Sequence, residues 1–134
     1  MESEINLNDP RLCEILDGTI DLFYEFGIKN LNMDDISRQL KISKKTLYQY
    51  AKSKEDLIEK LFYYDDMKWE QKISEIKINK LNAIDILIQV SFVVSEQMGK
   101  FDPKLKFEMK KYYETVFHNF MQKKQAHIFE QISN

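Results

Sequence analysis

Glycine and proline are scarce in this 134-residue chain, at three and two residues. They are the strongest local breakers of regular structure, so their scarcity favours long helices. Cysteine occurs once, as Cys13. A single thiol excludes an intramolecular disulfide and fits a reducing compartment, here the cytoplasm. Because Cys13 falls beside an apolar stripe, it reads as a buried, inert thiol. The longest apolar run, 84–94, is interrupted by Asp85, Gln89 and Ser91, so it is too short and too polar to cross a bilayer. No membrane association is expected. Residues Glu2, Ser3 and Glu4 lack the basic region and apolar core of a signal peptide.

Enzyme chemistry has little to stand on either. There is no Cys/His cluster, phosphate-cradling glycine loop or nucleophile motif. His118 and His127 fall nine positions apart on one helix, about 180° around its axis, and do not share a metal without other ligands. The acidic pair Asp65-Asp66 reads as a solvated turn of a long helix. The expectation is a protein that is not an enzyme, with no cofactor and no metal.

What the chain does have is a stretch without acidic residues. From Ile36 to Lys54 it carries six basic residues (Arg38, Lys41, Lys44, Lys45, Lys52, Lys54) and no Asp or Glu. The whole chain holds 20 basic against 22 acidic residues, so 14 basic residues face 22 acidic ones outside this window. A basic patch on an acidic protein marks a localised polyanion site; the bland reading is a solvated lysine-rich surface.

Local signals give the patch a shape. Asn32 is placed to cap a helix Met33–Leu40, with Asp34 and Asp35 in its first turn, where carboxylates suit the helix dipole. Lys41-Ile42 then turns directly into a second short helix opened by Ser43, and Ser53 opens a third. In the Ser43 helix only Leu47 is plainly apolar. Two short helices joined by a tight turn form a helix-turn-helix, whose second helix enters the DNA major groove.

These residues carry a resemblance. The string Asn32-Met33-Asp34-Asp35-Ile36-Ser37, then Ile42-Ser43-Lys44-Lys45-Thr46-Leu47-Tyr48-Gln49-Tyr50, then Ser53-Lys54-Glu55-Asp56-Leu57, resembles the DNA-binding domain of the tetracycline-repressor (TetR) family. Thr-Leu-Tyr followed by Ser-Lys-Glu is the specific part of that signal. Two positions depart from the pattern: Lys41 stands where the family usually has glycine, and Ala51 where an aromatic residue is common. A non-glycine residue in a left-handed turn costs about 1 kcal/mol, which is tolerable.

The resemblance implies a sequence-specific DNA-binding transcriptional regulator, a repressor released by an apolar small-molecule effector. It would act on a palindromic operator in double-stranded DNA, as a homodimer in its full-length form. Lys44, Lys45 and Thr46 would face base edges, and Tyr48 a base or a phosphate. Tyr50 and Lys54 would contact phosphates. Gln49 is suited to adenine through its two-pronged amide, and Asn32 with the amides after it to a phosphate at a helix N-terminus. Leu47 and Ile42 belong to the core.

The rest of the chain reads as all-α. Residues 1–8 are polar and frayed. Asp9-Pro10 starts a helix that stops at Gly27 and buries Leu12, Ile15, Leu16, Ile20 and Phe23. The helix from Ser53 carries Leu57, Ile58, Leu61, Phe62, Trp69, Ile73 and Ile76, and the segment Asn79–Asn82 breaks it. A helix from about Asn82 to Gly99 is apolar on nearly all sides and is expected at the centre of a bundle. Lys100–Asp102 turns, and Pro103 opens one last helix with the stripe Leu105, Met109, Tyr112, Val116 and Phe120.

Two units follow: a helix-turn-helix domain over 9–69, with the motif at about 32–51, and an incomplete helical ligand-binding and dimerisation domain over 70–134. The resemblance places an effector pocket in the second, with Trp69, Phe92, Met98, Phe107, Tyr112, Tyr113 and Phe117 as candidate lining; at helical spacing these residues equally suit a plain core. The rival readings are a helical protein-interaction module and an apolar-ligand-binding bundle without DNA binding.

Overall fold

A computed structural model describes residues 5–6, 8–78, 82–100 and 103–133. All regular structure among them is helical. α1 (Pro10–Phe26) begins as expected: the Asp9 carboxylate accepts from the Arg11 and Leu12 amides at 3.1 and 3.2 Å, with Pro10 at the first helical position. It ends where Gly27, at φ 87°, donates its N–H to the Phe23 carbonyl. Its buried face holds Leu12, Ile15, Leu16, Leu22 and Phe23. Thr19 lies in that face with its hydroxyl returned to the Ile15 carbonyl, 2.7 Å away on the same helix, which satisfies it without any outside partner. Ile5 is buried against this core, so the expectation of a frayed start does not hold there.

α2 (Met33–Gln39) and α3 (Lys44–Tyr50) follow, then the long α4 (Lys54–Ile78). Four consecutive α4 residues, Leu61 to Tyr64, are buried. A helix hidden on adjoining sides needs cover from several neighbours, and α4 has it: α1 packs on one flank, α7 (Glu114–Ser133) and α5 (Ala83–Lys100) on others. Tyr64 donates to Asp17 at 2.9 Å, tying α1 to α4. Burial, and then the Asp17 carboxylate, push the Tyr64 phenol well above its ordinary pKa, so it remains a protonated donor. Phe62, Tyr63, Phe117 and Phe120 form an edge-to-face and stacked cluster between α4 and α7, with centroids 4.8–6.3 Å apart.

Three expectations are corrected here. Asp65 and Asp66 are not a solvated turn: Asp65 pairs with Lys106 at 2.9 Å and Asp66 with Lys124, joining α4 to the two helices that follow α5. The last helix is not continuous: α6 (Pro103–Tyr112) and α7 are separated at Tyr113. Finally, α5 is not central. Ile84, Leu87, Ile88 and Phe92 lie at three- and four-residue spacing and are 61–73% exposed, because α5 rests on α4 by one side and nothing described covers the other. The predicted break over 79–81 and the turn at 101–102 lie outside the described residues.

Candidate nucleic-acid interface

The helix-turn-helix is built from interlocking caps. The Asn32 side chain accepts from the Asp35 amide at 2.8 Å, and the Asp35 carboxylate accepts from the Asn32 amide at 3.0 Å, a complete capping box. α2 then ends in a Schellman arrangement: Lys41 N–H donates to the Arg38 carbonyl and Ile42 N–H to the Ser37 carbonyl, at 3.1 and 3.0 Å. This geometry needs a left-handed residue, and Lys41 supplies it at φ 59°. The turn sits tightly against α1. A Cβ on Gly18 would lie 2.6 Å from Leu40 Cδ2, so the tip of the Leu40 side chain occupies the space that a larger residue would need.

Ser43 opens α3 by accepting from the Thr46 amide at 3.0 Å. Leu47, 0% exposed, fixes the helix to the core, and Ala51 is buried just beyond its end. That burial explains why a small residue fits at 51. Opposite Leu47 lie Lys44, Lys45, Tyr48 and Gln49, all exposed, within about 140° of arc at 100° per residue. Tyr48 is 46% exposed. Lys41 and Lys52, both exposed, bracket α3 along the chain.

The remaining predicted contacts are placed differently. The Thr46 hydroxyl is 2.9 Å from that of Ser43 and half-buried. Tyr50 is half-buried against the core. Asn32 is exposed, but its side chain is already used by the capping box. Lys44 reaches the Asp34 carboxylate at 3.0 Å, and Arg38 lies 3.6 Å from Asp35, so acidic residues of α2 border the basic face. Lys54 points inward: its ammonium donates to the Ile28 carbonyl and lies 5.8 Å from the ring centroids of Phe23 and Tyr113. Burial lowers its pKa from the ordinary lysine value, with Glu55 and Asp35 acting in the opposite direction.

At the α4 start, Ser53 accepts from the Asp56 amide at 3.1 Å, and Asp56 accepts from the Lys52 amide and from Lys60, each at 2.9 Å. Burial would raise the Asp56 carboxyl, but these hydrogen bonds outweigh it and hold the group below its ordinary value. The two helices that frame the recognition face are thereby locked in place by charge-assisted caps.

The seven candidate effector contacts are scattered. Phe92 and Phe107 project from α5 and α6 into solvent, Tyr112 is partly covered, and Trp69 is half-buried on α4. Tyr113 and Phe117 are half-buried at the α6–α7 junction, and the Met98 side chain lies outside the described part. An open groove of about 300 Å³ is lined by Lys110, Glu114, Phe117, His118 and Met121, and takes in Phe117 alone among the described candidates. No helix among the described residues is long and apolar enough to cross a membrane.

Comparison with known proteins agrees with the geometry of the first half. No curated protein matches the chain. Residues 15–61 match the family model of bacterial regulatory proteins, tetR family, a span that takes in most of α1, all of α2 and α3, and the first turns of α4. Over that span the chain is similar to the DNA-binding part of the tetR family, and the match supports a helix-turn-helix transcription regulator that binds DNA.

Proposed function

We propose that the protein is a sequence-specific repressor of transcription whose α3 enters the major groove of a palindromic operator. A second copy would present the same helix to the other half-site, and an apolar small molecule would release the complex. The observation that carries this reading is the outward set Lys44, Lys45, Tyr48 and Gln49 on a helix whose Leu47 is 0% exposed. A helix anchored by one apolar residue and free on the opposite face is the shape that groove insertion needs. Lys44 and Lys45 suit guanine O6 and N7, and Gln49 suits adenine N6 and N7. Asn32 supports the site through its cap rather than through a phosphate, and Thr46 and Tyr50 are secondary contacts. Such a regulator works in the cytoplasm, where its DNA is. Support for the effector is the family's regulatory character together with the open groove beside Phe117, on a helix that packs directly against α4.

Selection of bound duplexes from a random pool, followed by fluorescence anisotropy across a salt series, tests the reading. The expected result is a two-fold symmetric consensus, with Lys44→Ala changing the preferred base at one position at a cost of about 1–3 kcal/mol. Retention of a random pool without enrichment would overturn sequence-specific recognition.

A further inference from the structure

The second half of the chain meets the first at a corner that groove reading does not use. α6 ends at Tyr112 and α7 begins at Glu114. The Lys29 ammonium lies 3.6 Å from the centroid of the Tyr112 ring, which Lys111 of the same helix also approaches at 5.5 Å. The Lys54 ammonium donates to the Ile28 carbonyl and lies between two rings, 5.8 Å from the centroid of Phe23 on α1 and 5.8 Å from that of Tyr113. The two lysines thus sit around one buried residue, Ile28, each against one of two adjacent tyrosines.

Lys54 opens α4, with only Ala51, Lys52 and Ser53 between it and the end of α3. Extended into solvent from that position, its ammonium would stand beside the backbone of a duplex held by α3. Here it is folded away from that side and partly dried. Neither a carbonyl nor an aromatic ring holds an ammonium as strongly as a phosphate oxygen does. The contact therefore biases the lysine without locking it.

We propose that Tyr113, with Tyr112 beside it, is a positioning residue that withholds Lys54 and Lys29 from the DNA backbone, so that the α6–α7 corner sets how many cations the helix-turn-helix offers to phosphate. The proposal rests on the DNA-binding reading of α3. Movement of the corner away from Ile28 takes the Tyr113 ring from Lys54, leaving it only the Ile28 carbonyl and the Phe23 ring, and takes the Tyr112 ring from Lys29. Both lysines then turn more readily to phosphate and binding tightens to every sequence alike, while closure of the corner holds them back. Tyr113 is half-buried and Tyr112 is 41% exposed, so the two limbs of the clasp are separable by mutation.

The test uses the full chain and a mixed-sequence duplex. Anisotropy over a salt series is measured for wild type, Tyr113→Leu, Tyr113→Phe, Tyr112→Ala, and Tyr113→Leu combined with Lys54→Ala, with a thermal melt on each. Tyr113→Leu should tighten binding about 3- to 10-fold at low salt and steepen the slope of log K against log salt by about 1, one phosphate contact. Tyr113→Phe keeps the ring and should behave as wild type, and Lys54→Ala should abolish the gain. Tyr112→Ala, at an exposed ring, tests the Lys29 limb without disturbing the core. Reductive methylation read by mass spectrometry gives a view without DNA: Lys54 should react more slowly than Lys45 in wild type and at a similar rate in Tyr113→Leu.

Equal slopes in folded variants, or a gain that survives Lys54→Ala, would overturn the proposal alone. Equal methylation of Lys54 and Lys45 in wild type would overturn the clasp. Failure of every variant to bind duplex, with Lys54 still protected, would overturn the DNA reading and this proposal with it, leaving the corner as a packing contact.

Discussion

The two halves of this protein cover their helices differently. In the first, each helix begins with a side chain that satisfies its own amides: Asp9 for α1, Asn32 with Asp35 for α2, Ser43 for α3, Ser53 for α4. The apolar faces between those caps are buried together. In the second half, α7 is secured to α4 by the aromatic cluster and by the pairs Lys123–Glu59 and Lys124–Asp66, but α5 holds four large apolar side chains in solvent. A unit specified by local signals closes on itself. α5 too has a cap, Asn82 accepting from the Asp85 amide at 2.9 Å, so a local start signal alone does not bring cover to an apolar face.

The sharpest way to break this comparison is a pair of substitutions. Leu47→Ala, at a fully buried position, should cost about 2–5 kcal/mol and abolish DNA binding, since it removes the anchor of α3. Leu87→Ser on the exposed face of α5 should change stability by no more than about 0.5 kcal/mol. Urea unfolding reads both, and a loss at Leu87 comparable to that at Leu47 would show that the α5 face is covered in solution.

Acid gives a smaller effect that sharpens the same contrast. Asp56 has its carboxyl held below the ordinary value of 3.8 in the folded chain, so its contribution is present above that pH and is lost as pH falls through the folded pKa. Asp56→Asn should therefore flatten part of the fall in melting temperature below about pH 3.8. An unchanged acid limb would remove Asp56 from the cap's energetics.

The smallest effect is expected at Tyr63, whose buried hydroxyl has no hydrogen-bond partner among the described residues. An unsatisfied buried hydroxyl is a cost to the folded state, so Tyr63→Phe should raise the melting temperature slightly. A fall would mean that the hydroxyl has found a partner in solution.

The helix-turn-helix was legible in the chain because its determinants are local. Asn32, Ser43 and Asp9-Pro10 lie within three residues of the amides they serve or the turn they start, and Leu47 is the one apolar residue of α3. Other features depend on contacts distant in sequence and leave no such mark. Tyr113 interrupts the last helix without a glycine or proline to announce it, where Tyr112 meets Lys29 and Tyr113 itself faces Lys54. The inward turn of Lys54 depends on Ile28, 26 residues earlier. The apolar content of α5 was visible, but periodicity states only which faces dislike water and not which of them acquires cover. The pairing of Asp65 and Asp66 was hidden for the same reason, because their lysines come from helices 41 and 58 positions later.

The corner between α2 and α3 has a consequence of its own. At Lys41, φ is 59°, a conformation in which any side chain is a burden. A bare backbone there would relax the bend, yet it would also delete a positive charge just ahead of α3. Relief of strain and electrical reach thus pull in opposite directions at one position, and this chain has settled on reach.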